Sequence, residues 1–278
     1  MHLIRATAIA AAALLTAAAA HAQDGSKYPD WSGQWRRPAN VAPAWDPTKP
    51  PGLGQQAPLT PEYQAIFEAT LKDRAGGGLT GDSTGLCLPH GLPRMMVAIF
   101  PVEFVITPKI TYYMTDYTTS RRIFTDGREW PKDLLPSFNG YSIGKWIDTD
   151  GDGRYDLLEV ESRGFKSPRT FEGSGLPLHS DGESVIKERI FLDKADKNLL
   201  HDEVTVIDHA LTHPWIVTKR YQRGPDRQPW WVEDNCMENN NHIRIQGEPY
   251  FLSADGLIMP AKKGQRPPDL RYFSPPKK

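Results

Sequence analysis

The stretch Asn198-Leu199-Leu200-His201-Asp202-Glu203-Val204-Thr205-Val206-Ile207 decides how this chain folds. Val204 and Val206 fall on one side of an extended backbone, and Glu203 and Thr205 fall on the other. That period of two belongs to a half-buried β-strand. Working outward, β-branched and aromatic enrichment returns downstream at 215–221 and upstream at 185–192, 156–161, 142–147, 121–125, 110–117 and 102–106. Pro108 and Lys109 stand between 102–106 and 110–117 as a tight turn. Eight strands with mostly short connections predict a mainly β chain. Its 25 prolines and 23 glycines suit many short strands better than long helices.

Sequential strands in this number point to an antiparallel up-and-down barrel, or a strongly curved sheet, of the lipocalin-like kind. One helix precedes it, over 60–73. Thr60 caps it, Pro61 suits its first position, and Tyr63, Ile66, Phe67 and Leu71 form its apolar face. Residues 24–58 read as a Pro-rich, Trp-containing arm that wraps over the domain and plugs one end of the core. The expected organisation is a signal peptide at 1–22, the arm and helix at 23–85, a barrel core at 86–223, and a loop-rich tail at 224–278 packed on the core.

The first 22 residues carry the parts of a cleavable secretory signal. His2 and Arg5 begin it, an apolar run from Ala6 to Ala20 follows, and Ala20-His21-Ala22 is a small-x-small cleavage site. The expected location is therefore periplasmic or secreted, with no membrane span after cleavage. Removing Arg5 shifts the formal charge from −1 to −2, which gives no reason to expect a nucleic-acid partner. Two cysteines, Cys87 and Cys236, are expected to pair as a disulfide in an oxidising compartment. Oligomeric state is left open by the sequence.

The strongest local motif runs from Asp148 to Glu159. Asp148, Asp150, Asp152, Asp156 and Glu159 fall at positions 1, 3, 5, 9 and 12 of an acidic calcium loop, with Gly153 at position 6. The flanks read as strands, so the expectation is a structural calcium on a hairpin, with the Arg154 carbonyl among the ligands. Gly81-Asp82-Ser83-Thr84-Gly85 matches a nucleophile pattern but lacks the strand and helix that pattern needs. His201, His209 and His213 would serve a metal only if the chain after 207 folded back. They read as surface and turn histidines.

Arg121 and Arg122 are adjacent in a strand and must face opposite sides of it. Whichever enters the barrel needs a carboxylate or an anionic ligand, and Glu103 and Glu188 are candidate partners. The expected site is a barrel pocket for a small aromatic or carboxylated compound. Arg94, Glu103, Arg122 and Arg128 would bind the substrate, and His179, Asp181 and Glu188 would handle a proton. No organic-cofactor motif is present, so the expected reactions are lyase, decarboxylase or isomerase chemistry. The alternative is a non-catalytic carrier or an envelope structural protein.

Several segments recur together. They include Cys87-Leu88-Pro89-His90-Gly91-Leu92-Pro93-Arg94, Glu103-Phe104-Val105-x-Thr107-Pro108 and Arg121-Arg122-Ile123-x-Thr125-Asp126-Gly127-Arg128. Asn139-Gly140-x-Ser142-Ile143-Gly144-x-Trp146, Leu178-His179-Ser180, Glu188-Arg189, Pro214-Trp215 and Cys236-x-Glu238-Asn239-Asn240 complete the set. In this order they resemble a family of uncharacterised secreted bacterial proteins. The resemblance implies that residues 30–245 and both cysteines belong to one domain, and it transfers no mechanism. That family tends to carry a short Trp-Glu-Gly-Asp-Thr turn where this chain has 148–156, so calcium would be this protein's own addition.

Overall fold

The computed structural model describes residues 27–79, 81, 83–115, 120–226, 230, 235–236 and 241–271. The expected signal at 1–22, Tyr117 of the expected second strand, Asp82, and Glu238 to Asn240 lie outside the described residues.

Nine strands close into a barrel. They are β1 (Gln34–Arg36), β2 (Val102–Ile106), β3 (Ile110–Thr115), β4 (Arg121–Phe124), β5 (Tyr141–Ile147), β6 (Leu157–Arg163), β7 (Val185–Leu192), β8 (Leu199–Ile207) and β9 (Trp215–Arg223). The predicted mainly β barrel is thus present, with two differences. The first is closure by a ninth strand from the arm, where Trp35 sits opposite both Val102 and Arg223. Three residues show too little alternation to be read as a strand from sequence. The second is that β4 and β5 pair in parallel, with Ile123 opposite Ser142. Parallel neighbours need a long return connection, and residues 125–140 supply it.

The strands alternate as a barrel wall must. In β9, Trp215, Val217, Lys219, Tyr221 and Arg223 are buried while the residues between them are exposed. The arm closes both ends rather than one. Trp31 packs on Phe104 and Trp146 (5.1 and 5.0 Å between ring centroids), at the end where β5 turns into β6. Trp45 packs on Phe171 and Trp215 (5.3 and 6.3 Å), at the end where β8 turns into β9. Inside, a buried 3-10 turn, Arg94–Val97, accepts the Tyr113 hydroxyl on the Met95 carbonyl (3.1 Å) and the Tyr221 hydroxyl on the Met96 carbonyl (2.7 Å). Each large side chain buried this way contributes roughly 1.5–3 kcal/mol, so the interior serves as a packed core.

The helix α1 (Pro61–Ala75) has Thr60 at its cap, accepting from the Tyr63 N–H (3.4 Å). Phe67 and Thr70 are its buried residues, whereas Ile66, predicted on the apolar face, is 43% exposed. The helix is tied to the β8–β9 turn by the Thr60 N–H to Ala210 carbonyl bond (2.9 Å). The tail contains a second antiparallel sheet, β10 (His242–Ile245), β11 (Glu248–Leu252) and β12 (Ile258–Pro260). Lys262 of the tail pairs with Asp73 of α1 at 2.6 Å. Cys87 and Cys236 form the predicted disulfide, with Cα atoms 5.6 Å apart. Among the described residues no helix is long and apolar enough to cross a membrane.

Candidate functional site

The inward arginine of the adjacent pair is Arg121. It is fully buried and forms a bidentate pair with Glu188, with Nη1 donating to Oε1 at 2.8 Å. Its Nε donates to Ser142 Oγ (3.1 Å) and its Nη2 to Ser162 Oγ (2.9 Å). Burial pushes the guanidinium's pKa down, and Glu188 more than offsets it, so the arginine stays charged. The neighbouring pair across β8 and β9, Asp202 and Lys219, is also buried. Burial, then Glu188, pushes the Asp202 carboxyl well above the usual range. Burial lowers Lys219 to about 7. The Lys219 ammonium rests 4.1 Å from the Trp45 ring centroid and donates to the Ala44 and Trp45 carbonyls. Glu188 and the two serines thus occupy the Arg121 guanidinium.

The outward arginine, Arg122, lines a groove of about 1080 Å³ on the outer wall at the parallel seam. Tyr112, Phe124, Phe138 and Tyr141 supply its rings, with Val105 and Met114 beside them. Among the described residues the exposed charges of its lining are Arg122 and Lys166, both basic; Arg121 adjoins it, but its guanidinium is bound to Glu188 in the core. Phe124 and Tyr141 stack at 4.9 Å, and Arg128 holds the stack from outside. The Arg128 guanidinium lies 3.8 Å from the Phe124 centroid and donates to Tyr141 Oη (3.2 Å) and Asp126 (2.7 Å). These bonds draw the Asp126 carboxyl down to about 2. The backbone at and behind the groove demands glycine at two points. Gly91 (φ +61°) lies where a Cβ would meet the Phe138 carbonyl at 2.4 Å, and Gly140 (φ +63°) where one would meet the Phe165 ring at 2.5 Å.

A third constellation sits at the barrel end that carries the β8–β9 turn. Asp181 Oδ2 lies 2.8 Å from His179 Nδ1 and 2.6 Å from His209 Nδ1. Tyr63 of α1 packs on the His179 ring at 5.4 Å. Behind the cluster, Asp208 accepts the backbone N–H of His179 (2.9 Å) and of Ala210 (2.8 Å), and also the Ser184 hydroxyl (2.5 Å). Ser184 in turn accepts from the buried Arg169 (2.7 Å). The bond to Asp181 holds His209 above its ordinary pKa.

At the opposite end, Asp148, Asp150 and Asp152 bring one carboxylate oxygen each within 4.8 Å of one another. Asp156 instead accepts from the Thr149 N–H (2.9 Å) and hydroxyl. Glu159 points outward from β6 toward Arg189 (3.7 Å). The backbone N–H of Arg154 donates to Asp152 (2.8 Å).

No family model matches this chain, and neither a curated protein nor a solved structure is significantly similar to it.

The residues expected to share one pocket are therefore distributed. Glu188 is bound to Arg121 in the core and not to His179. Arg94 is buried, donating to Thr170 (3.3 Å) and Thr84 (3.2 Å). Glu103 is half-buried on β2, opposite Gln34 and Met114. Arg122 alone of the expected binding residues lines the groove, and Arg128 supports the groove's rings. His179 and Asp181 do meet, and His209 joins them. Sequence reasoning grouped His209 with His201 and His213. In the fold, His201 pairs with Asp193 (3.0 Å) and His213 contacts Thr212 (3.1 Å). A usable signal was His179-x-Asp181 with His209 just past the end of a strand. Lys166 and Phe138, on irregular chain, gave no signal.

Proposed function

We propose that the protein binds a small aromatic carboxylate in the outer groove at the β4–β5 seam and acts as an exported carrier. The observation that carries this reading is the groove's lining: four aromatic rings and, among the described residues, basic charge only. Rings stack on a flat ligand and the guanidinium of Arg122 pairs with its carboxylate. The volume lies near the upper end of ordinary small-molecule sites. Binding without turnover is the better reading because the lining includes no histidine and no carboxylate among the described residues, and His179 and Asp181 lie outside it. Export is part of the proposal. It is supported by the leader-like first 22 residues and by the disulfide, which suits an oxidising compartment.

Calorimetry with benzoate and its neutral amide, benzamide, tests the reading. Benzoate should bind and benzamide should bind about tenfold more weakly or worse, a difference of ~1.4 kcal/mol. Equal affinities, or no benzoate binding, would count against a carboxylate site. Calcium at 148–156 belongs to the same proposal as a structural clasp, supported by the loop's spacing and its three convergent carboxylates. A chelator should then lower the melting midpoint, and an unchanged midpoint would remove the ion from the reading.

A further inference from the structure

We infer that His179, Asp181 and His209 form a binding site for a divalent transition-metal ion, with zinc as the ion to test. The inference is independent of the groove, since none of the three residues lines it. Two imidazoles and one carboxylate suit zinc and its neighbours in the first transition row, whereas calcium and magnesium want oxygen throughout. One ligand atom from each of the three residues lies within 4.8 Å of the other two. Ligands at ~2.0–2.2 Å from one tetrahedral ion stand about 3.4 Å apart, so Asp181 Oδ2 would have to draw back from each Nδ1 by less than about 1 Å to admit it.

One carboxylate oxygen serves both rings. Asp181 Oδ2 faces Nδ1 of both rings, at 2.8 and 2.6 Å, and so asks each ring to present an N–H there. The Asp181 backbone N–H faces the same Nδ1 of His179 at 3.2 Å and asks it to be an acceptor. No single tautomer of His179 answers both. A cation bound by both Nδ1 lone pairs and by Oδ2 would replace the two protons that otherwise lie between the rings and the carboxylate.

The frame behind the three is already built. Asp208, 7% exposed, accepts backbone N–H groups from both ligand-bearing segments, at His179 and at Ala210. It is anchored through Ser184 to Arg169 in the core. Metal ligands held by such outer partners lose less freedom on binding. Tyr63 walls one side of His179, and the His209 side chain is 64% exposed, which leaves the other side open to water. Three protein ligands with an open position is the arrangement of reactive rather than purely structural zinc.

The test is calorimetric titration of the chelator-treated full protein with Zn²⁺, followed by Co²⁺ in its place. One equivalent of Zn²⁺ should bind, and Co²⁺ should give a visible absorption band on binding. His209→Ala, at an exposed position, and Asp181→Asn should each weaken Zn²⁺ at least about tenfold and abolish the cobalt band. A paired Asp150→Asn and Asp152→Asn variant should keep the equivalent. Absence of Zn²⁺ binding to the unaltered protein would overturn the inference. So would unchanged affinity in His209→Ala, or loss of the equivalent in the acidic-loop variant alone.

Discussion

Arg121 and Arg122 are neighbours on one short strand, and they live in different solvents. Arg121 is 1% exposed, with Glu188 and two serine hydroxyls taking its donors. Arg122 stands on the outer wall among rings, beside Lys166 and with no acid among the described lining residues. The strand's pleat alone separates them. The difference teaches how to sort this pair: the arginine facing in is spent on the fold, and the one facing out is open to a ligand.

The largest expected effect breaks the inner half. Arg121→Met should destabilise the protein by about 3–5 kcal/mol in urea unfolding, because Glu188 is left charged and buried without a partner. A second change, Glu188→Leu, should recover much of that loss by removing the stranded charge. A loss below ~1 kcal/mol for the single variant would mean that water reaches Glu188, and the inside would no longer differ from the outside.

The next effect sharpens the same contrast through pH. Lys219 has its folded-state pKa lowered to about 7, chiefly by burial, against an ordinary value of 10.5. Between those values the unfolded chain holds a proton that the folded chain does not. Stability attributable to Lys219 therefore rises with pH across that window, by at most about 1.4 kcal/mol per pH unit, and the full penalty stands below it. Asp202 works the other way: its raised pKa makes the folded state hold the extra proton, so its contribution falls as pH rises. Asp46, Glu172 and Arg37 are the other charged groups that act on Lys219. Unfolding free energies at pH 7, 8 and 9 should show a steeper upward trend in the unaltered protein than in Lys219→Met. Parallel trends would mean that the ammonium is not desolvated.

The same contrast explains what could be read from the chain. Strand positions were legible because burial on one face imposes alternation, as in β8, where Leu200, Asp202, Val204 and Val206 are buried in turn. That Arg121 and Arg122 must part company was legible for the same reason. Which of them faces in was not, because β4 is four residues long and its outer face is itself apolar in part, through Phe124. The closing strand β1 and the parallel seam were hidden for a further reason. Both depend on partners about 70 residues away or on the path of an irregular connection. The site residues followed suit: His179 met Asp181 from two positions along, while His209 arrives from beyond two intervening strands.

The smallest effect on stability falls on the outer arginine, and it decides whether the comparison describes function. Arg122→Ala should leave unfolding free energy within about 0.5 kcal/mol, since its side chain is exposed. The same change should weaken benzoate about tenfold, or ~1.4 kcal/mol, by removing the carboxylate's partner. Lys166 remains beside the groove, so the loss should be partial and should shrink as salt screens the remaining charge. If Arg122→Ala instead unfolds the protein as readily as Arg121→Met, both arginines serve the wall and the groove is a seam in it. If stability holds and benzoate affinity holds too, the rings bind without the cation, and a neutral aromatic compound becomes the better ligand class.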